Sequence, residues 1–294
     1  MNAVDAEAIA RLVTTRVTDP QAIARGWAAR RTPASLVGSS GRLMLVAADH
    51  PARGALRAGD DPLAMGDRTQ LLDRLVRALA RPGVDGVLGT ADVLDDLLLL
   101  GALEDKVVIG SMNRGGLAGT AFEIDDRFTG YHAAAIRDRS LQGGKMLFRI
   151  EPEDAGTVAT MQACAHAVEE LAAAGLMAMV EPFISARRDG RVVNDLSTAA
   201  VVRSATVAAG LASTSAHTWL KLPVVEDMET VLAATALPVV LLGGEVSSDQ
   251  QEQFAQWSKA LEHPSVRGMV VGRSLLYPPG GDVEAAVDAT VAML

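Results

Sequence analysis

"GGKMLFRIEPEDAGTVATMQACAHAVEELAAAGLMAMVEP", residues 143 to 182, carries the pattern on which the fold turns. GKMLFRI (144–150) is a short apolar run of strand length. TVATMQACAHAVEELAAAG (157–175) then repeats apolar residues at three- and four-residue spacing and closes on Gly175, a common helix stop. LMAMVEP (176–182) is a second strand-like run. Strand, helix and strand in that order describe a parallel pair joined by a right-handed crossover.

The same unit recurs in both directions. Strands are expected at 42–49, 85–90, 106–111, 144–150, 176–182, 218–223, 237–244 and 266–273, with helical stretches such as MGDRTQLLDRLVRALA (65–80) between them. Eight such units predict an α/β protein, a closed (β/α)8 TIM barrel in one domain over 42–294. No G-x-G-x-x-G follows the first strand, which counts against an open dinucleotide-binding sheet. Residues 1–41 read as an N-terminal extension of one or two helices, a lid over the barrel bottom or an oligomer contact. ARRDGR (186–191) reads as a solvated hairpin with its turn at Asp189-Gly190.

Composition narrows the partners. The 294 residues are 49% hydrophobic and 21% charged, with a net charge of −9 and a pI near 5.1. That balance opposes nucleic acid, which wants a basic face, but leaves room for an anionic small molecule held by a local cluster of cations. Cys164 is the only cysteine, so an internal disulfide is impossible and a reducing compartment fits. The start, MNAVDAEAIARLVTTRV, lacks the basic-then-apolar pattern of a secretion signal. No apolar run approaches the roughly 20 residues that span a bilayer. A cytoplasmic protein without a membrane or nucleic-acid partner is expected, with the N-terminal helices as candidate contacts of a homo-oligomer.

The chemistry should lie where the strands end, at the C-terminal face of such a barrel. TWLKLP (218–223) places Lys221 inside an apolar strand, where an unpaired ammonium is costly. Strand four carries Lys145, with Leu147 and Arg149 on the same face by period-two alternation. Strand five ends in Glu181-Pro182 and strand one in Asp49-His50. A lysine whose proton affinity is lowered by burial and a neighbouring cation can attack a carbonyl and form an iminium; a carboxylate beside it can move the protons. Each residue also has a plainer reading: a paired core lysine at 221, a strand-start lysine at 145, a strand-ending glutamate at 181. Only the three together favour chemistry.

LLGGEVSSD and MVVGRSLLY each set glycine where a strand gives way to a helix, so Gly243, Gly244, Gly272 and Arg273 suggest a phosphate cradle. Ser274 is a candidate to add a hydroxyl there. Arg149 is a candidate for a second anionic group, or a surface salt bridge. His50 either touches substrate or is structural beside Pro51. The five histidines show no metal-ligand spacing, so no metal and no other cofactor are expected.

LVAADHPARGAL, GGKMLFRIEPED, MVEPFIS, WLKLPV, VVLLGGEVSSDQ and VVGRSLLY, in order over about residues 42 to 277, resemble the strand-end motifs of class I, Schiff-base aldolases. The nearest likeness is to the tagatose-1,6-bisphosphate and sulfofructosephosphate aldolases, and more distantly to the archaeal-type fructose-bisphosphate and deoxyribose-phosphate enzymes. DDRFTGY (125–131) ahead of GGKMLFRI is similar to an actinobacterial group of such barrels. The resemblance implies that Lys221 forms the Schiff base, with Lys145 and Glu181 as the polar pair beside it and Asp49 as the acid ending strand one. It also implies that Gly243, Gly244, Gly272 and Arg273 hold the phosphate of a dihydroxyacetone-phosphate unit. Two departures stand out: His50-Pro51 in place of the more usual polar pair, and Glu245 directly after the glycine pair. The implied reaction is aldol cleavage or formation in a phosphorylated ketose or keto sugar acid, such as a ketohexose bisphosphate or 2-deoxy-5-ketogluconate 6-phosphate. A barrel isomerase or dehydratase, or a non-catalytic sugar-phosphate-binding barrel, is the alternative.

Overall fold

The computed structural model describes residues 3–38, 40–247 and 249–294. In chain order the helices are α1 (Ala6–Thr18), α2 (Gln21–Ala29), α3 (Arg68–Leu79), α4 (Ala91–Leu99), α5 (Ala133–Asp138), α6 (Gly156–Ala173), α7 (Thr198–Ala209), α8 (Met228–Ala233), α9 (Gln250–Leu261), α10 (Arg273–Leu276) and α11 (Val283–Val291). The strands are β1 (Leu43–Ala48), β2 (Gly86–Gly89), β3 (Val107–Ser111), β4 (Gly143–Ile150), β5 (Met177–Arg188), β6 (Arg191–Asp195), β7 (Thr218–Pro223), β8 (Val239–Leu242) and β9 (Val266–Val271). Side chains in their N-cap positions start several of the helices: Asp67 accepts from the Gln70 amide at 3.0 Å to open α3, and Ser197 accepts from Ala200 to open α7.

Eight strands run parallel and close on themselves. β1 pairs with both β2 and β9, and the pairing of β4 with β5 completes the ring. The chain is a (β/α)8 TIM barrel, with a ninth strand, β6, added antiparallel to the end of β5. All eight expected strands are present. β8 is shorter than the 237–244 run because Pro238 precedes it and Gly243-Gly244 leave the ladder. β5 is longer than expected, continuing past Pro182 because Ile184 to Arg188 find a partner in β6. The turn between them is the Asp189-Gly190 pair, both at positive φ (51° and 76°), the conformation that tight two-residue hairpins demand.

Alternation along each strand separates two cores. On β1, Met44, Val46 and Ala48 face the surrounding helices, while Leu43, Leu45 and Ala47 face inward. The inner layer adds Leu88, Ile109, Met179, Val240 and Val270, with Trp219 against it. Glycines let the strands close around this filling: a Cβ on Gly86 would collide with the Val107 carbonyl.

The N-terminal extension is helical, yet its helices do not lie beneath the barrel. They flank it: Trp27 on α2 donates to Asp95 at 2.7 Å, and Arg16 on α1 pairs with Asp96 at 2.7 Å, both carboxylates on α4. The segment after α2 seals the bottom instead. Arg30 donates to the carbonyls of Lys106 and Ser140, and Leu36 and Val37 pack on the inner layer. Among the described residues no helix is long and apolar enough to cross a membrane.

The inner layer is the platform for everything above it. Leu45→Ala, at a fully buried position, is expected to lower the unfolding free energy by about 2–5 kcal/mol. It should appear as a reduced urea midpoint at unchanged slope.

Candidate active site

One step above the apolar layer, the inward positions become polar. The phase that turns Leu43, Leu45 and Ala47 inward brings Asp49 in next; Val107 and Ile109 are followed by Ser111, and Met177 and Met179 by Glu181. On β7, Trp219 and Lys221 face inward while Leu220 and Leu222 join the outer core. On β4, Lys145, Leu147 and Arg149 all line the cavity, and the register sets Ser111 level with Lys145 and Leu147 level with Glu181. The result is a cavity of about 580 Å³ at the C-terminal ends of the strands, within the size range of small-ligand sites.

Glu181 bridges two lysines. Lys221 Nζ donates to its Oε1 at 2.8 Å, and Lys145 Nζ pairs with its Oε2. Lys145 also donates to Asp49 Oδ2 at 3.1 Å. Arg114 pairs with the same Asp49 Oδ2, and its Nε donates to Ser111 Oγ at 2.9 Å. Each of these charged side chains is at most 11% exposed. The sequence reading placed Lys221, Lys145, Glu181 and Asp49 together, and they are in direct contact.

Three cations thus face two carboxylates, all of them buried. Arginine keeps its proton at neutral pH, although burial pulls Arg114 somewhat below its ordinary value. The excess positive charge therefore falls on the lysines. Lys145 is driven well below the usual lysine range, by burial first and by Arg114 second. Burial alone would raise Glu181, but Lys145 and Lys221 reverse it and hold the carboxyl well below its ordinary value. His50 also lines the cavity, its Nδ1 3.8 Å from Asp49 Oδ1. Burial, reinforced by Arg273 and Lys221, pushes its imidazole well below 6.5, so it stands neutral.

The glycine-rich ends of β8 and β9 form the opposite wall. Gly243, Gly244, Gly272 and Arg273 all border the cavity, and Ser274 Oγ, buried, reaches the Gly243 carbonyl at 3.5 Å. A Cβ on Gly272 would collide with the Ala47 carbonyl at 2.7 Å and press on the His50 ring at 3.1 Å, so a glycine there lets the end of β9 lie close against β1. Glu245 does not point away from this wall: its carboxylate meets Arg273 Nη1 at 2.6 Å.

Arg149 is no surface residue. It is buried, donates to Glu123 Oε1 at 2.6 Å, pairs with the Glu123 carbonyl, and lies 3.9 Å from Asp126. Burial, with Arg53 nearby, pushes it down to about 10. Arg53 shares the same Glu123 oxygen at 3.0 Å and lines the cavity too. Arg149 is thus committed to Glu123, and that end of the cavity is close to charge-balanced. Arg114, Ser111, Arg53 and Glu123 are not among the residues singled out from the sequence. A signal existed for two of them: KVVIGS ends inward on Ser111, and SMNRGG puts an arginine beside glycines just after a strand, as at Gly272-Arg273. Among the described residues, no group of three His, Cys, Asp or Glu converges as a metal-ligand set.

The model of one family, described as Cgl0159-like, matches residues 41–291. The chain belongs to that family. It is 53% identical to Cgl0159 from Corynebacterium glutamicum, whose crystal structure superposes with a TM-score of 0.95 over 99% of this chain and 97% of that one. An archaeal fructose 1,6-bisphosphate aldolase is similar at 19% identity and a TM-score of 0.65, over 88% of this chain and 95% of that one. A fructose-bisphosphate aldolase from Slackia heliotrinireducens is similar at 16% identity and 0.58, over 100% and 94%. At these identities the aldolase structures share the fold. No curated protein matches the chain.

The Glu181 bridge sets a test. Glu181→Gln removes the carboxylate that pairs with Lys221 and one of the two that pair with Lys145, at a cost of about 3–5 kcal/mol near neutral pH. In the folded variant Lys145 holds its proton less tightly than in the unfolded chain, where lysine titrates at about 10.4. The unfolded state then binds more protons, so stability must rise with pH as that ammonium titrates. Unfolding midpoints measured from neutral to alkaline pH should show the deficit narrowing; a constant deficit would contradict the assignment.

Proposed function

We propose that the chain is a class I aldolase acting on a phosphorylated ketose or keto sugar acid through a Schiff base at Lys221, with dihydroxyacetone phosphate as the ketone product. The observation that carries this reading is the Lys145–Glu181–Lys221 bridge inside a site with one more cation than carboxylates. Such a site can hold one lysine as a free amine without the penalty of an unpaired buried charge. No metal or other cofactor enters the scheme.

In the cleavage direction, the Lys221 amine adds to the substrate ketone, and loss of water gives the iminium. Glu181, steadied by Lys145, takes the proton from the hydroxyl on the far side of the scissile bond. As that C–C bond breaks, its electron pair moves toward the iminium nitrogen, the aldehyde leaves, and an enamine remains. Protonation of the enamine carbon and addition of water release the three-carbon ketone and restore the amine. Asp49, fixed between Lys145 and Arg114, orients substrate hydroxyls or relays a proton. Gly243, Gly244, Gly272 and Arg273 hold the phosphate, aided by the Ser274 hydroxyl. Neutral His50 contributes a hydrogen bond to substrate. Arg149, being occupied by Glu123, supports that end of the cavity more than it grips a second phosphate. A ketohexose bisphosphate and 2-deoxy-5-ketogluconate 6-phosphate both remain within this class. The partner is a small sugar phosphate; a cytoplasmic setting and a homo-oligomer joined through the N-terminal helices belong to the same reading.

Borohydride reduction with dihydroxyacetone phosphate is the test. The Lys221 peptide should gain the mass of the reduced three-carbon adduct, and Lys221→Met should gain none. Unchanged mass in the native protein, or plain conversion to glyceraldehyde 3-phosphate, would contradict the proposal. Lys145→Met should retain the adduct while turnover falls on the order of 10²–10⁴-fold, the usual loss of an acid–base partner.

A further inference from the structure

The wall assigned to phosphate already contains an anion of its own. Arg273 is 15% exposed and sits on the cavity, while its partner Glu245 is 69% exposed at the rim. The chain reaches that position through Gly244, whose φ is +69°. A Cβ there would meet nothing within 4 Å, so the glycine answers to backbone conformation and not to space. The turn it makes throws Glu245 back over Arg273. From α9, Gln253 Nε2 donates to the Gly243 carbonyl at 3.0 Å and to the Glu245 carbonyl at 3.4 Å. The loop backbone is thereby tied down while the Glu245 carboxylate remains largely in water. Arg273 Nε is buried without a hydrogen-bond partner, so the guanidinium has donor capacity that Glu245 leaves unused.

We propose that Glu245 is an internal competitor for the phosphate site: it occupies Arg273 while the cradle is empty and is displaced into solvent when a phosphorylated ligand enters. This rests on the phosphate cradle proposed above. The energetics suit a displaceable contact. A pair with one partner mostly exposed is weak, because solvent screens it and the released carboxylate regains its water. A phosphoryl group carries nearly twice the charge and three acceptor oxygens, so it outcompetes the carboxylate for the arginine and can also reach the unsatisfied Nε. Because Glu245 must be expelled by every anion, it weakens them all by a similar factor. Ligands held by the anion alone then fall below useful affinity, while sugar phosphates anchored also at the Lys221 end do not. The same competition favours release of a phosphorylated product.

Calorimetric titration of the full chain with inorganic phosphate, at about pH 8 where a phosphoryl group is dianionic, tests this through a double-substitution cycle. Glu245→Gln should bind phosphate about three- to fivefold more tightly than the native protein, the scale of one exposed ion pair. Arg273→Met should lose most of the affinity. Adding Glu245→Gln to Arg273→Met should change what remains by less than about twofold, as coupled partners require. A gain in affinity is not what damage to the fold produces. Equal or weaker phosphate binding by Glu245→Gln, or the same gain with and without Arg273, would overturn the competitor role while leaving the cradle standing. If Arg273→Met binds phosphate as the native chain does, or if neither the native chain nor Glu245→Gln binds it, both the cradle and the competitor fall.

Discussion

Three cationic side chains and two carboxylates enclosed by one barrel are the constraint on which the rest depends. Arg114 holds Asp49, Asp49 accepts from Lys145, and Lys145 and Lys221 divide Glu181 between them. These side chains are buried, so an unbalanced charge is expensive. Arginine cannot yield its proton, and the carboxyl of Glu181 is held ionised by its two partners. Relief comes from a lysine, and burial together with Arg114 lowers Lys145 accordingly. The protonation of such a coupled set belongs to the set more than to any one member. A lysine that holds its proton weakly is then a consequence of burial and of the charge count, and the effect falls on Lys145.

The barrel makes that count possible. Strand alternation sends every second side chain inward, and the lower inward layer is apolar: Leu43, Leu45, Ile109, Met179, Val240. Charged groups appear only one step higher, so the same geometry that fills the barrel also gathers its ions at one end. Leu36 and Val37 close the other end. The helices of the extension contribute from the flank, through Trp27 and Arg16 to α4.

Much of this was legible in the sequence because period-two alternation is a local property. Lys221 between Leu220 and Leu222, and Lys145 two residues before Leu147, could be phased from their own strands. The fold followed from eight recurrences of one unit. What escaped came from outside the strands. Arg114 lies three residues beyond the end of β3 and Glu123 farther along the same loop, where no periodicity says which way a side chain turns. The run 176–182 shows only the first part of β5; the strand continues past Pro182 because a later segment, β6, supplies a partner. The direction of Glu245 is set likewise from outside its own residue, by the left-handed turn at Gly244 and by Gln253 on another element.

The chain has four lysines, at positions 106, 145, 221 and 259, few enough to follow individually. Carbon-13 NMR of protein labelled at the lysine side chain, titrated with pH and assigned through Lys145→Met, measures the protonation of the cluster directly. The account predicts that the Lys145 signal titrates well below the ordinary lysine value of about 10.4. A Lys145 signal that stays charged up to or beyond that value would contradict it.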